Sequence, residues 1–265
     1  MISQSDRAAE FRALHAPGQL LVLPNAWDAA SARAAEEAGA RAIATSSAAV
    51  AWCHGYADGE TIPQDTLMAS IREIVRVVRV PVSVDSEAGY SRNPTEVAAY
   101  TVTLREMGVA GINLEDGTEP AELLAAKIKA IKGAGGDIFV NERADVYLKN
   151  LVPDGAKLAE MKRRAALYRD AGADGLFVPG IADLSIISEI VRAIDLPVNC
   201  LAQKTSPPVA ELKAAGVRRV SAGAGISRAA YGAAMRATKM MLDEGKYDAI
   251  FAPAADCPEF NKFFG

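Results

Sequence analysis

Histidine is almost absent. The 265-residue chain has two, His15 and His54. A catalytic triad built on histidine, or a metal site with several imidazoles, is therefore close to excluded. Cysteine is scarce and odd in number. Cys53, Cys200 and Cys257 stand far apart, with no redox or zinc spacing, so a reduced, cytoplasmic protein is expected. Positive charge is not in excess: the formal net charge is −4, which leaves no basic footprint for nucleic acid. The apolar runs are too short to span a bilayer. The opening MISQSDRAAEF lacks the apolar centre of a secretory signal. Half the residues are hydrophobic and 23% are charged, so the composition is that of a folded globular chain rather than a disordered one.

What the chain holds in quantity is one repeated unit. Apolar runs recur at 20–24 (LLVLP), 41–46 (RAIATS), 80–85 (VPVSVD), 110–115 (AGINLE), 137–143 (DIFVNER), 174–179 (DGLFVP), 196–201 (LPVNCL) and 218–223 (RRVSAG). They are continuous rather than alternating, as parallel strands covered on both faces should be. Between them lie stretches of helical period, such as 29–39, 66–78, 94–108 and 157–172. Gly39, Gly108, Gly172 and Gly216 sit where helices should end, and Asn93-Pro94 and Asp183 where helices should begin. The pattern predicts an α/β fold, a (β/α)₈ barrel over about residues 20–240, within one domain spanning 1–265. A doubly wound open sheet is the alternative. An extra helix is expected within 1–15, and a helical extension over 245–265. Its Phe251, Phe260, Phe263 and Phe264 are expected to be exposed for docking on this chain or a neighbour.

In such a barrel the chemistry sits at the C-terminal ends of the strands. Asp85 and Glu87 end the third run. Two apart on an extended strand, they should share a face. Glu115 ends the next run. Three carboxylates gathered there repel one another unless a cation or protons neutralise them. An oxygen-only set suits Mg²⁺ or Mn²⁺. Asn141 and Arg143 share a face of the fifth run, and a guanidinium at a barrel mouth can clamp a carboxylate. Ser46 and Ser47 open a long segment, SAAVAWCHGYADGETIP, that reads as a lid or substrate loop carrying Asp58. Cys53 and His54 in the same loop are weighed as proton carriers, with packing and solvent exposure the plainer reading. Asp28 reads as a helix cap. The G-x-G of SAGAGIS is a weak phosphate signal.

The segments PNAWDAASAR, IATSSAAVAW, GYADGE, VPVSVDSEAGY, GINLEDG, NERADVYL, AGADGLFVPG and GVRRVSAG resemble the isocitrate lyase/phosphoenolpyruvate mutase superfamily across residues 20–240. The resemblance implies a (β/α)₈ barrel whose last helix is swapped between subunits of a dimer or tetramer. It implies Mg²⁺ held by Asp85, Glu87 and Glu115, with Asp58 beside it as a catalytic group. Ser46, Ser47 and Ala48 would meet the substrate carboxylate through backbone N–H groups, although Ser47 stands where the family has glycine. Arg143 would bind carboxylate and act in catalysis, with Asn141 as a further substrate contact.

Three departures narrow the activity. The K-K/R-C-G-H loop of isocitrate and methylisocitrate lyases is missing, since this chain reads EDGTEPAELLAAK there. The longer gating loop of the mutase and phosphonopyruvate hydrolase branch is missing at the same place. Pro179 ends the sixth run where the family carries Glu or His. What remains implies an Mg²⁺-dependent lyase that cleaves a C–C bond of a small 2-oxo or 2-hydroxy carboxylate through an enolate stabilised by the cation and Arg143. Decarboxylation of an oxaloacetate-like acid and lysis of a substituted malate are the two forms. C–P chemistry, and a non-catalytic binder of oxo-acids, are the alternatives.

Overall fold

The computed structural model describes residues 4–255 and 257–264. All its strands are parallel and form one sheet. The run at 20–24 forms only β1 (Leu21–Leu23), and a second short strand, β2 (Asn25–Ala26), follows it on the same stave. Pro24 between them has no N–H to give to a ladder. Each piece therefore pairs with a different neighbour. β2 pairs with β3 (Ile43–Thr45), and β1 pairs with β9 (Arg219–Ser221). This broken stave brings the two ends of the sheet together, so nine strands make a barrel of eight staves. The remaining strands are β4 (Val82–Asp85), β5 (Gly111–Glu115), β6 (Phe139–Arg143), β7 (Gly175–Val178) and β8 (Val198–Leu201).

The helices are α1 (Gln4–Ala13), α2 (Ala29–Glu37), α3 (Ser47–Cys53), α4 (Gln64–Val77), α5 (Pro94–Glu106), α6 (Ala121–Gly133), α7 (Asp154–Asp170), α8 (Leu184–Ala193), α9 (Val209–Ala214), α10 (Gly225–Glu244), α11 (Asp248–Ala254) and α12 (Asn261–Phe264). Their ends follow the sequence signals. Asn93 and Asp183 accept backbone N–H groups as N-caps. Asp28 accepts from Ser31 N–H at 2.7 Å while the Ser31 hydroxyl accepts from Asp28 N–H, a reciprocal cap. The glycines after α2, α5, α7 and α9 turn the chain with φ near +90° to +105°.

Strand alternation sorts the core into two parts. Outward residues such as Val82, Val84, Ile112, Leu114, Val140, Leu176 and Val178 are buried under the helices. Each contributes about 1.5–3 kcal/mol on burial. α4 returns the favour with a stripe of helical spacing, Leu67, Ile71, Ile74 and Val75. A second, smaller cluster closes the N-terminal end of the barrel. There α1 places Phe11 and Leu14 against Leu21, Leu23, Ala44 and Phe139.

α10 is different. Of its 20 residues only Ser227 is buried, while Met235 and Leu242 are 73% and 77% exposed. Val22 on β1 is 54% exposed, although it stands on a barrel wall that helices cover elsewhere. Phe251 and Phe264 are exposed, but Phe260 and Phe263 are half-buried. Phe263 lies under the Arg33 guanidinium, 5.3 Å from ring centroid to carbon, so part of the tail docks on α2 of its own chain. No described helix is long and apolar enough to cross a membrane.

Candidate active site

The polar residues gather at the C-terminal ends of β3 to β6. β4 stops at Asp85, and Glu87 lies beyond it with φ +47°. The expected reason for their proximity, two side chains on one face of a strand, is therefore wrong. A left-handed turn, not strand alternation, brings Glu87 back to the mouth. Asp85 is half-buried and Glu87 is buried. Glu115 ends β5, and its backbone N–H donates to Glu87 O at 2.8 Å.

These acids feel one another. Burial pushes the Glu87 carboxyl up to about 7, with the charges of Asp85 and Asp58 adding to it. Burial also raises Glu115, to about 8. The pull of Arg143 acts against this, while Asp145, Asp85 and Glu87 push the same way as burial. Such a set is short of positive charge. Its donors are all oxygen, which fits a hard divalent cation. Among the described residues, however, no three acids, thiols or imidazoles are already drawn together to grip an ion. Each acid has another partner instead. Asp85 Oδ2 accepts from Ser47 N–H at 3.0 Å and from Ser47 Oγ at 2.9 Å. Glu115 pairs with Arg143 at 2.5 Å. Glu87 Oε2 accepts from Glu60 N–H at 2.8 Å.

Arg143 is the fixed cation of the mouth. Its Nε and Nη2 donate to the two carboxyl oxygens of Asp145 at 2.7 and 2.9 Å, a forked pair, and Nη1 faces Glu115. These acids outweigh the cost of burial and hold the guanidinium firmly protonated. Its carbon lies 5.9 Å from the Phe177 ring centroid. With buried Pro179 just beyond β7, that side of the mouth is apolar.

The other expected residues fall at different depths. Ser46 caps α3, its Oγ accepting from Ala49 N–H, and Ser47 and Ala48 form the helix's first turn. Asp58 is exposed on the following loop, and its Oδ1 accepts from Ser47 Oγ at 3.4 Å. Ser47 thus bridges Asp58 and Asp85. Asn141 lies a layer below Arg143, buried, donating to Asn113 Oδ1 at 2.9 Å. His54 points to Ser70 on α4, with Nε2 and Oγ 2.6 Å apart, and the Cys53 thiol faces the backbone of Trp27 and Val50. Neither contacts the mouth acids; His54 is exposed, as its plainer reading has it, whereas Cys53 is exposed rather than packed.

Sequence reasoning missed Asp145 and gave no role to Asp116. Asp145 is fully buried and orients Arg143. Its own N–H donates to Asp116 Oδ1 at 2.9 Å. Asp116 Oδ2 accepts from Arg164 Nη1 and from the Tyr168 hydroxyl, at 2.7 and 2.6 Å. A chain of carboxylates thus ties the mouth to α7. The signal was the E-R-A-D of residues 142–145, where the acid follows the arginine by two.

The family model described as phosphoenolpyruvate phosphomutase matches residues 11–242. The chain is 38% identical to an uncharacterized protein of Mycobacterium tuberculosis over 238 residues, 88% of this chain and 89% of the relative. It is 30% identical to an oxaloacetate decarboxylase of a Marinomonas species, over 91% of this chain and 86% of that one. Among solved structures, a Burkholderia cenocepacia protein provisionally described as a phosphonomutase superposes with a TM-score of 0.84 at 39% identity. That match covers 88% of this chain and 99% of the other. With its barrel, its acid-lined mouth and these matches, the chain belongs to the phosphoenolpyruvate phosphomutase family, within the isocitrate lyase/phosphoenolpyruvate mutase superfamily.

Proposed function

We propose that the protein is a divalent-cation-dependent lyase that cleaves a C–C bond of a short 2-oxo or 2-hydroxy dicarboxylate. Decarboxylation of an oxaloacetate-like acid is its simplest form. One observation carries the reading. Asp85, Glu87 and Glu115 stand beside a forked Arg143–Asp145 pair, and the connection after β5 is only residues 116–120, with no cysteine.

Asp85, Glu87 and Glu115 would hold Mg²⁺ or Mn²⁺, which when bound supplies Lewis acidity at the substrate's 2-oxygen. Asp145 holds two of the Arg143 nitrogens, which leaves Nη1 as the one able to leave Glu115 for a substrate carboxylate. The same guanidinium offsets negative charge as it develops. The start of α3 would meet the substrate carboxylate through the backbone N–H groups of Ala48 and of Ser47, the latter held by Asp85 in this structure, while Ser46, whose own N–H donates to Ala26 O, caps the helix. Asn141 supports the layer beneath. In decarboxylation the bond to the departing carboxylate breaks, carbon dioxide leaves, and the electron pair passes into an enolate that solvent protonates. Asp58, exposed and joined to Ser47, would take the hydroxyl proton if a 2-hydroxy acid were split instead.

The 39% identity to the Burkholderia protein supports a second reading, C–P bond chemistry on a phosphonopyruvate-like acid. Assay of oxaloacetate, substituted malates and phosphonopyruvate with Mg²⁺ separates the two. Pyruvate and carbon dioxide from oxaloacetate, or a 2-oxo acid and a simple carboxylate from a substituted malate, are expected. Release of phosphate from phosphonopyruvate alone would reverse the order.

A homodimer or homotetramer is part of the proposal. The exposed apolar residues of α10 and the uncovered Val22 of β1 support exchange of α10 between copies. Light scattering on the full chain is expected to give a multiple of the chain mass.

A further inference from the structure

Four non-glycine residues among those described have a left-handed backbone, and three of them are Glu60, Glu87 and Tyr90, at φ +58°, +47° and +59°. L side chains adopt this region only at an energetic cost, so the surroundings must enforce it. Here the three enforce one another. Glu60 N–H donates to Glu87 Oε2 at 2.8 Å, across 27 residues of sequence. Tyr90 N–H donates to Glu60 Oε1 at 2.7 Å, across 30 residues. The Tyr90 hydroxyl donates to Glu87 Oε1 at 3.3 Å. Between Glu87 and Tyr90, the Ala88 carbonyl accepts from the buried Lys127 Nζ at 2.7 Å.

The exchange is reciprocal. The main chain of Glu60 holds the side chain of Glu87, and the side chain of Glu60 holds the main chain of Tyr90. One partner segment carries Asp58 and the other carries Glu87, so the two halves of the mouth are joined at this point. We propose that Glu60 is a positioning residue that latches the Asp58 loop, residues 54–62, onto the Glu87 turn and keeps the Glu87 carboxyl in place for the cation. This rests on the reading of Glu87 as a cation ligand given above. Glu60 itself touches neither substrate nor cation. What the latch requires of its side chain is an acceptor oxygen for Tyr90 N–H. Glutamine supplies one, whereas alanine and glycine do not. Glycine also removes the strain at position 60, which separates the backbone contribution from that of the carboxyl.

The test compares wild type, E60Q, E60A and E60G as full chains. Hydrogen exchange is followed over residues 54–62 and 86–91. Binding of Mn²⁺ in the presence of oxalate is counted by electron paramagnetic resonance of the free ion. E60A and E60G are expected to exchange faster in both segments, with exchange across β5 and β6 unchanged, and to bind Mn²⁺ about 10-fold more weakly or worse. E60Q is expected to match wild type in both readouts. Wild-type exchange in E60A, or an E60Q as impaired as E60A, would overturn the latch. If wild type itself binds no Mn²⁺, the ligand role of Glu87 fails. The exchange arm still decides the latch, upheld by faster exchange in E60A and E60G and overturned by none.

Discussion

The two ends of the barrel bury charge in opposite ways. At the N-terminal end α1 seals the staves with aromatic packing. Phe11 meets Phe139 edge-on at 5.4 Å, and His15 stacks on Phe139 at 4.4 Å with Nδ1 on Phe11 O. Burial pushes the His15 pKa down to about 3, so its ring is neutral. Arg219, fully buried, reaches only Asn113 Oδ1 among the described acceptors, and its carbon sits 5.8 Å from the Phe11 ring centroid. At the C-terminal end, acids crowd together, three of their neighbourhood's residues are strained, and Arg143 is shared between Glu115 and Asp145. The floor is arranged for packing, where glycines make room for rings. At the mouth, like charges are held close at a cost in stability, as the proposed cation site would require. The comparison teaches that buried charge alone does not mark a site. Buried charge together with strain and an opening to solvent does.

If that contrast is right, substitutions at the mouth should change turnover and those at the floor should change stability. R143K removes the fork on Asp145 and is expected to lower kcat by about 10²- to 10³-fold with a near-normal melting temperature. D145N leaves Arg143 in place but loosens it, and a loss of about 10- to 100-fold is expected, read as kcat at saturating substrate. At the floor, G111A would put a Cβ 2.8 Å from the Phe11 ring and 3.0 Å from Phe139 O. Chemical denaturation is expected to show a loss of about 1–3 kcal/mol, while kcat per folded molecule stays at the wild-type value.

Glu142 sharpens the contrast, because it is a buried acid that belongs to neither end. It is fully buried, on the outward face of β6, and neither carboxyl oxygen has a hydrogen-bond partner among the described residues. Burial, and then the charge of Asp116, raise its pKa well above the ordinary value. A folded-state pKa above the unfolded one means stability present at low pH and lost as pH rises from about 4 through the raised value. E142Q should therefore be more stable than wild type at pH 8, by about 1–3 kcal/mol, with the gap closing at pH 4. Parallel denaturation curves at both pH values would remove this account of Glu142. The smallest effect belongs to H54A, expected to alter turnover by less than about twofold.

The barrel was legible because its code is local. Continuous apolar runs, alanine-rich helices and glycine stops recur along the chain, and each unit declares itself. Pro24 was visible as the end of the first run, yet its consequence, one stave that continues beyond it and pairs with two neighbours, needs the closed ring. Asp85, Glu115 and Arg143 were readable as polar ends of apolar strands. Glu87 was named for the wrong reason, because positive φ at a glutamate leaves no mark that alternation can read. Asp145 and Glu60 were missed for a related reason. Each works by holding a partner, Arg143 in one case and the Glu87 turn in the other, and such roles follow from distances across the fold.

The central claim is that the mouth acids bind one hard divalent cation together with a small oxo-acid. Titration of Mn²⁺ against wild type and D85A, with and without oxalate, tests it most directly. One ion per chain is expected, bound more tightly with oxalate present, and lost in D85A while the fold remains. A wild type that binds no ion, or a D85A that binds as well as wild type, would contradict it.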